Sequence, residues 1–142
     1  MKTFATKTTI RATPDAIWGL LTDGSAYPSW NETVTKVDGK IAFGEKVTIH
    51  AKISPGRAFP VKLTELVQNQ KMVWTARMPL GLFQGQRTYT LPPASDGTVE
   101  FSMVEIFSGP LSPMIEKQVP KELQGDFEKF AACLKKRAEE GK

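Results

Sequence analysis

Arg87 and Glu105 are the residues best placed to do chemistry. Each falls in phase with the apolar face of an alternating segment: Arg87 with Tyr89 and Leu91, Glu105 with Phe101, Met103 and Phe107. A guanidinium and a carboxylate inside an apolar shell are costly unless paired or solvated. They therefore meet each other, water or a bound molecule, unless a local bulge turns both outward. In a dry pocket Glu105 could act as an acid or base while Tyr89 or Arg87 steadied an enolate, although nothing in the spacing demands it. Other chemistries lack their parts. The single histidine, His50, falls on the polar face of its segment, so a Ser-His-Asp or Cys-His arrangement has no central member. Cys133, the only cysteine, flanks a buried stripe, and no Cys/His cluster has metal-ligand spacing. "GLFQGQ" lacks the lysine and the strand-to-helix setting of a phosphate-binding loop. Neither a metal nor another cofactor is called for.

The elements that position these residues follow from periodicity. A chain of 142 residues is the size of one domain, 1–142, without repeat or linker. Alternation in "TFATKTTIR" predicts a strand over about residues 3–11. "TPDAIWGLL" predicts a short helix, about 14–21, capped by Thr13 with Pro14 at its first position. The loop "DGSAYPSWN" then places Tyr27 and Trp30 around Pro28; the two rings either wall an opening at one end of the sheet or plug that end as core. Alternation returns in "VTIHAKI", "FPVKLTELV" and "MVWTARM", the last putting Met72 and Trp74 on one face with Ala76 and Met78. "GQRTYTL" and "TVEFSMVEIF" flank "PPASDG", a turn signal that makes them antiparallel neighbours. A turn centred near Ser95 pairs positions whose numbers sum to about 190, setting Tyr89 opposite Phe101, Arg87 opposite Met103, and Arg87 diagonal to Glu105.

From Ser112, a plausible cap, and Pro113 onward the period becomes helical, with Val119, Leu123, Phe127, Phe130 and Leu134 on one stripe. Residues 113–138 span 26 positions, about 39 Å at 1.5 Å each. Pro120 must kink or split this helix, leaving 113–119 either a movable flap or one arm of a static bend. The order is strand, short helical insert, about six consecutive strands, long helix. That is an α+β architecture, a curved antiparallel sheet of six to seven strands wrapped around a C-terminal helix.

These pieces resemble the START-like helix-grip superfamily, most closely its polyketide cyclase/dehydrase-type branch, often called SRPBCC domains. The resemblance rests on "ATPDAIWGLLTDGSAYPSWN", on Val73-Trp74, and on "GTVEFSMVEIFSGPL" leading into the terminal helix. It implies a deep cavity between sheet and helix for a hydrophobic or amphipathic small molecule, such as a lipid, polyketide-like or isoprenoid compound. The candidates for contacting it are Tyr27, Trp30, Met72, Trp74, Arg87, Tyr89, Met103, Glu105, Leu123 and Phe127. The fold hosts carriers, cyclase/dehydratase-type enzymes, in which Glu105 would be catalytic, and co-chaperone-like modules.

Composition narrows the partners. The net charge of +4 is spread among interspersed acidic residues, so the helix's lysines read as a solvated face and no nucleic-acid partner is expected. No run approaches 18 apolar residues and the opening residues carry no signal-peptide core, so stable membrane insertion and export are not expected. Together with the unpaired cysteine this points to the cytoplasm. Oligomeric state has no signature in the sequence.

Overall fold

The computed structural model describes residues 2–53, 56, 58–94, 96–119 and 121–140. Seven strands form one antiparallel sheet in the order β1-β7-β6-β5-β4-β3-β2. β1 (Lys2–Ile10) is followed by α1 (Pro14–Thr22) and α2 (Tyr27–Trp30). A meander then runs through β2 (Val34–Asp38), β3 (Lys46–Ala51), β4 (Phe59–Val67), β5 (Lys71–Arg77), β6 (Gln84–Thr90) and β7 (Val99–Ser108). The chain closes with α3 (Ser112–Glu116) and α4 (Leu123–Glu140). Bulges between Val34 and Lys36 and between Leu63 and Glu65 add local twist, which helps the sheet curl. Among the described residues no helix is long and apolar enough to cross a membrane.

Local chemistry sets the boundaries. Thr13 Oγ1 accepts from the Ala16 amide at 3.1 Å, the cap expected for a helix entered through Pro14. In the β6–β7 turn the Asp96 carboxylate accepts from both the amide and the hydroxyl of Thr98. Pro93 bridges Val99 here, so the turn is centred one residue later than Ser95, which lies outside the described residues. The register moves by two residues as a result. Arg87 stands directly opposite Glu105 and Tyr89 opposite Met103, correcting the expectation that Arg87 faces Met103 and meets Glu105 on a diagonal. Phase is preserved, because a two-residue slip keeps every side chain on its own face.

The terminal segment also departs from the single helix of residues 113–138. α3 is one short helix that decays into turns at Gln118 and Val119 before the longer α4 begins. Pro120, itself outside the described residues, offers no amide to the helical ladder and restricts the backbone of the residue before it. Ser112 does not cap α3 either: it sits inside the helix, buried, and donates its hydroxyl to Glu116 Oε2 at 2.6 Å.

α4 is tied along the edge strand β1. Gln124 Nε2 donates to the Ala5 carbonyl at 2.9 Å, and Lys135 Nζ to the Thr9 carbonyl at 2.6 Å. These bonds occupy outward backbone groups that an open edge would leave unpaired. With the helix so placed, Phe127, Phe130, Ala131, Leu134 and Ala138 face the curled sheet and are buried.

Candidate functional site

On the central strands β5 and β6 the concave face of the sheet grades from large to small. On β5 the inward residues run Met72, Trp74, Ala76; on β6 they run Tyr89, Arg87, Gly85. Because these strands are antiparallel, both series shrink toward the same end, where Ala76 pairs with Gly85 and Gly85 with Phe107. β3 joins the trend with Ile49 followed by Ala51. One end of the grip is thus filled by side chains, and the other is left short of them.

The filled end is an aromatic cluster. Tyr27, Trp30, Tyr89 and Phe101 surround Phe130, with Phe130 stacked on Phe101 at 6.4 Å between centroids and 6° between planes, and Trp74 packs against Tyr27 and Tyr89. Tyr27 is fully buried and donates its hydroxyl to the Leu21 carbonyl at 2.5 Å, and Trp30 lies 5.1 Å from it, ring to ring. Next to them Asn31 is held by Thr33, whose amide and hydroxyl both donate to its Oδ1. The aromatic loop therefore closes one end of the sheet as core. Met72 and Met103 are fully buried in the same mass.

At the other end lies a cavity of about 250 Å³. The sheet contributes Val61, Trp74, Ala76, Gly85, Arg87, Glu105 and Phe107; the roof is Ile115, Gln118 and Val119 with Leu123 and Asp126 of α4. Its lining is largely apolar, with a few convergent polar groups, the usual constitution of a small-molecule site, and its volume lies just below the ~300–1,000 Å³ such sites span, which suits a small guest. A second hollow, about 710 Å³, lies where Arg11 and Thr13 approach Asp96 and Thr98, but its charged groups are exposed and it offers no dry surface.

The charged groups of the cavity form one cluster. Arg87 Nε donates to Glu105 Oε1 at 2.7 Å, with the two side chains only 24% and 14% exposed. The Phe127 ring covers the guanidinium, 4.6 Å from Cζ to the ring centroid. Burial opposes the charge on Arg87, but the Glu105 carboxylate and the neighbouring Tyr89 together outweigh it and hold the guanidinium protonated above its ordinary range. Asp126 is the third member. Partial burial raises its carboxyl above the usual value against the opposing pull of Arg87 and Lys129. Tyr89, fully buried, lies beside Arg87; burial pushes its phenol well up, and its Oη makes no hydrogen bond of good geometry among the described residues.

Of the residues singled out in the sequence, Trp74, Arg87, Glu105 and Leu123 line the cavity. Phe127 and Tyr89 stand behind Arg87, while Tyr27, Trp30, Met72 and Met103 belong to the solid end. Asp126 and Gly85 were not singled out in the sequence, whereas the 113–119 segment, expected as a flap or one arm of a bend, supplies Ile115, Gln118 and Val119 to the lining. A signal for the first two existed: Gly85 is in phase with Arg87, and Asp126 neighbours the apolar stripe on the helix. His50 bonds Asp38 at 2.9 Å on the opposite side of its strand from Ile49 and Ala51. Among the described residues no group of three or more His, Cys, Asp or Glu could hold a metal ion.

A family model described as polyketide cyclase / dehydrase and lipid transport matches residues 1–139. Several solved structures share the fold. A START superfamily protein from Mycobacterium smegmatis superposes with a TM-score of 0.72 at 15% identity, covering 99% of each chain. An aromatase/cyclase from a Streptomyces species gives 0.74 at 12% identity, over 97% of this chain and 93% of that one. A Chromobacterium violaceum protein gives 0.70 at 24% identity, over 96% of each. No curated protein matches the chain significantly.

Proposed function

Since the chain belongs to the polyketide cyclase/dehydrase and lipid transport family, we propose that it binds a hydrophobic or amphipathic small molecule, such as a lipid, polyketide-like or isoprenoid compound, between its sheet and C-terminal helices, to carry or sequester it. The observation that carries this reading is the apolar cavity of about 250 Å³ with the Arg87–Glu105 pair in its wall. Apolar walls supply the driving force at roughly 25 cal/mol per Å² of apolar surface removed from water. The ion pair orients the single polar group of the guest, since any polar atom entering this space must be hydrogen-bonded to avoid a desolvation penalty. Native mass spectrometry of freshly purified protein tests it. A bound small molecule released on denaturation is expected; an empty chain that also fails to take up the apolar fluorophore N-phenyl-1-naphthylamine would refute it.

An enzyme of cyclase/dehydratase type using the same pocket is the second reading. The observation favouring it is that burial raises the Asp126 carboxyl in the same cavity that holds the Arg87–Glu105 pair. In this reading Glu105 is the base that faces the guest and Asp126 the acid. Glu105→Gln would then abolish turnover while leaving ligand affinity within a few-fold, and parallel losses of both would favour binding alone.

A further inference from the structure

The charge inventory of the cavity restricts the ligand's polar group. Among the described residues Arg87 is the one basic side chain in the lining, and Glu105 already balances it at 2.7 Å, with Phe127 covering the guanidinium. Asp126 brings a second carboxyl to the same cluster from the first turn of α4, and among the described residues its side chain accepts no hydrogen bond. An anionic headgroup would add a third negative group beside Arg87, which Glu105 already neutralises, with only Lys129, outside the lining, as a further cation acting on Asp126, in surroundings where low polarisability strengthens repulsion. A hydrogen-bond donor would instead satisfy the unbonded carboxyl.

We infer that the polar group of the bound molecule is neutral or cationic, an amine or hydroxyl that donates to Asp126, and that the cavity rejects carboxylate-headed molecules such as fatty-acid anions. This rests on the cavity being the binding site. Asp126 can be reached: it is half-buried and lines the cavity together with Leu123, Gln118 and Val119, whereas the Glu105 side chain is 14% exposed and bonded to Arg87. Donation by a ligand stabilises the ionised carboxyl and reverses the effect of burial on it. Binding of an amine should therefore release a proton from Asp126 in mildly acidic buffer.

The test uses three molecules with the same ten-carbon chain, decylamine, decanol and decanoate, displacing N-phenyl-1-naphthylamine from the full-length protein at neutral pH. Decylamine is expected to bind about tenfold or more tighter than decanoate, a difference of roughly 1.4 kcal/mol, with decanol also ahead of decanoate. Asp126→Asn should shrink the amine-to-carboxylate ratio several-fold while leaving decanol nearly unchanged. Decanoate binding as tightly as decylamine, or a ratio untouched by Asp126→Asn in a variant with an unaltered circular dichroism spectrum, overturns the inference and leaves the binding reading standing. Failure of the fluorophore to bind the wild-type chain would remove both.

Discussion

Replacing Glu105 by leucine strands the Arg87 guanidinium in the cavity wall. Exposed ion pairs contribute about 0–1 kcal/mol, whereas removing one partner of a buried pair costs about 3–5 kcal/mol because the other charge is left uncompensated. With side chains 24% and 14% exposed, Arg87 and Glu105 sit nearer the buried limit. Some water reaches them through the cavity, so the expected loss for Glu105→Leu is about 2–4 kcal/mol. At a urea dependence of about 2 kcal/mol per molar, the unfolding midpoint would fall by about 1–2 M. Arg87→Met should cost a similar amount by stranding the carboxylate. The double variant Arg87→Met/Glu105→Leu should recover most of the loss, since an apolar pair of similar volume has no charge to desolvate. A double-mutant cycle of urea unfolding, followed by tryptophan fluorescence, reads the coupling directly. A Glu105→Leu loss below about 0.5 kcal/mol, as for a surface pair, or a double variant as unstable as the sum of the singles, would refute the reasoning.

Three further outcomes follow from particular residues. Burial raises the Asp126 carboxyl in the folded state, so the native chain holds its proton more tightly than the unfolded one. Stability then falls as pH rises from the unfolded value of about 3.9 through the raised folded one. Asp126→Asn should remove that slope and melt higher than wild type at neutral pH, and a lower melting temperature there would contradict the assignment. Leu80 is 95% exposed at φ 61°, a left-handed conformation that costs an L residue about 1–2 kcal/mol. Leu80→Gly should stabilise by about 0.5–1 kcal/mol in chemical denaturation, because glycine's extra freedom in the unfolded chain cancels part of the relief. Gly109, at φ 102°, would bring a Cβ within 2.6 Å of the Leu82 carbonyl oxygen, so Gly109→Ala should lower stability by about 2 kcal/mol.

The fold was legible because its signals are local. Alternation marked β3 through β7, helical spacing marked α1 and α4, and a proline announced the break between α3 and α4. The register of β6 on β7 was less legible, since it depends on turn length and "PPASDG" admits more than one closure. Only the bridge from Pro93 to Val99 and the Asp96–Thr98 bonds place its centre. The site was half legible. Arg87 and Glu105 stood out as charges in phase with apolar residues, and phase survives a two-residue slip. Which end of the sheet stays open could not be seen from single strands. It emerges when the small residues Ala76 and Gly85 are paired across antiparallel neighbours while Tyr27 and Trp30 fold into the opposite end. Asp126 reads as a solvent-facing helix residue until α4 is docked beside Arg87.

The unfilled space beneath the α3–α4 roof is the feature on which the functional account depends. Ala76→Phe would place a ring in that space without disturbing the aromatic end, where Phe130 anchors α4. Titration of N-phenyl-1-naphthylamine into wild type and Ala76→Phe, each checked for cooperative unfolding, measures it most directly. The account predicts saturable one-to-one binding by wild type and its loss in the folded variant; equal binding by both, or none by either, would contradict it.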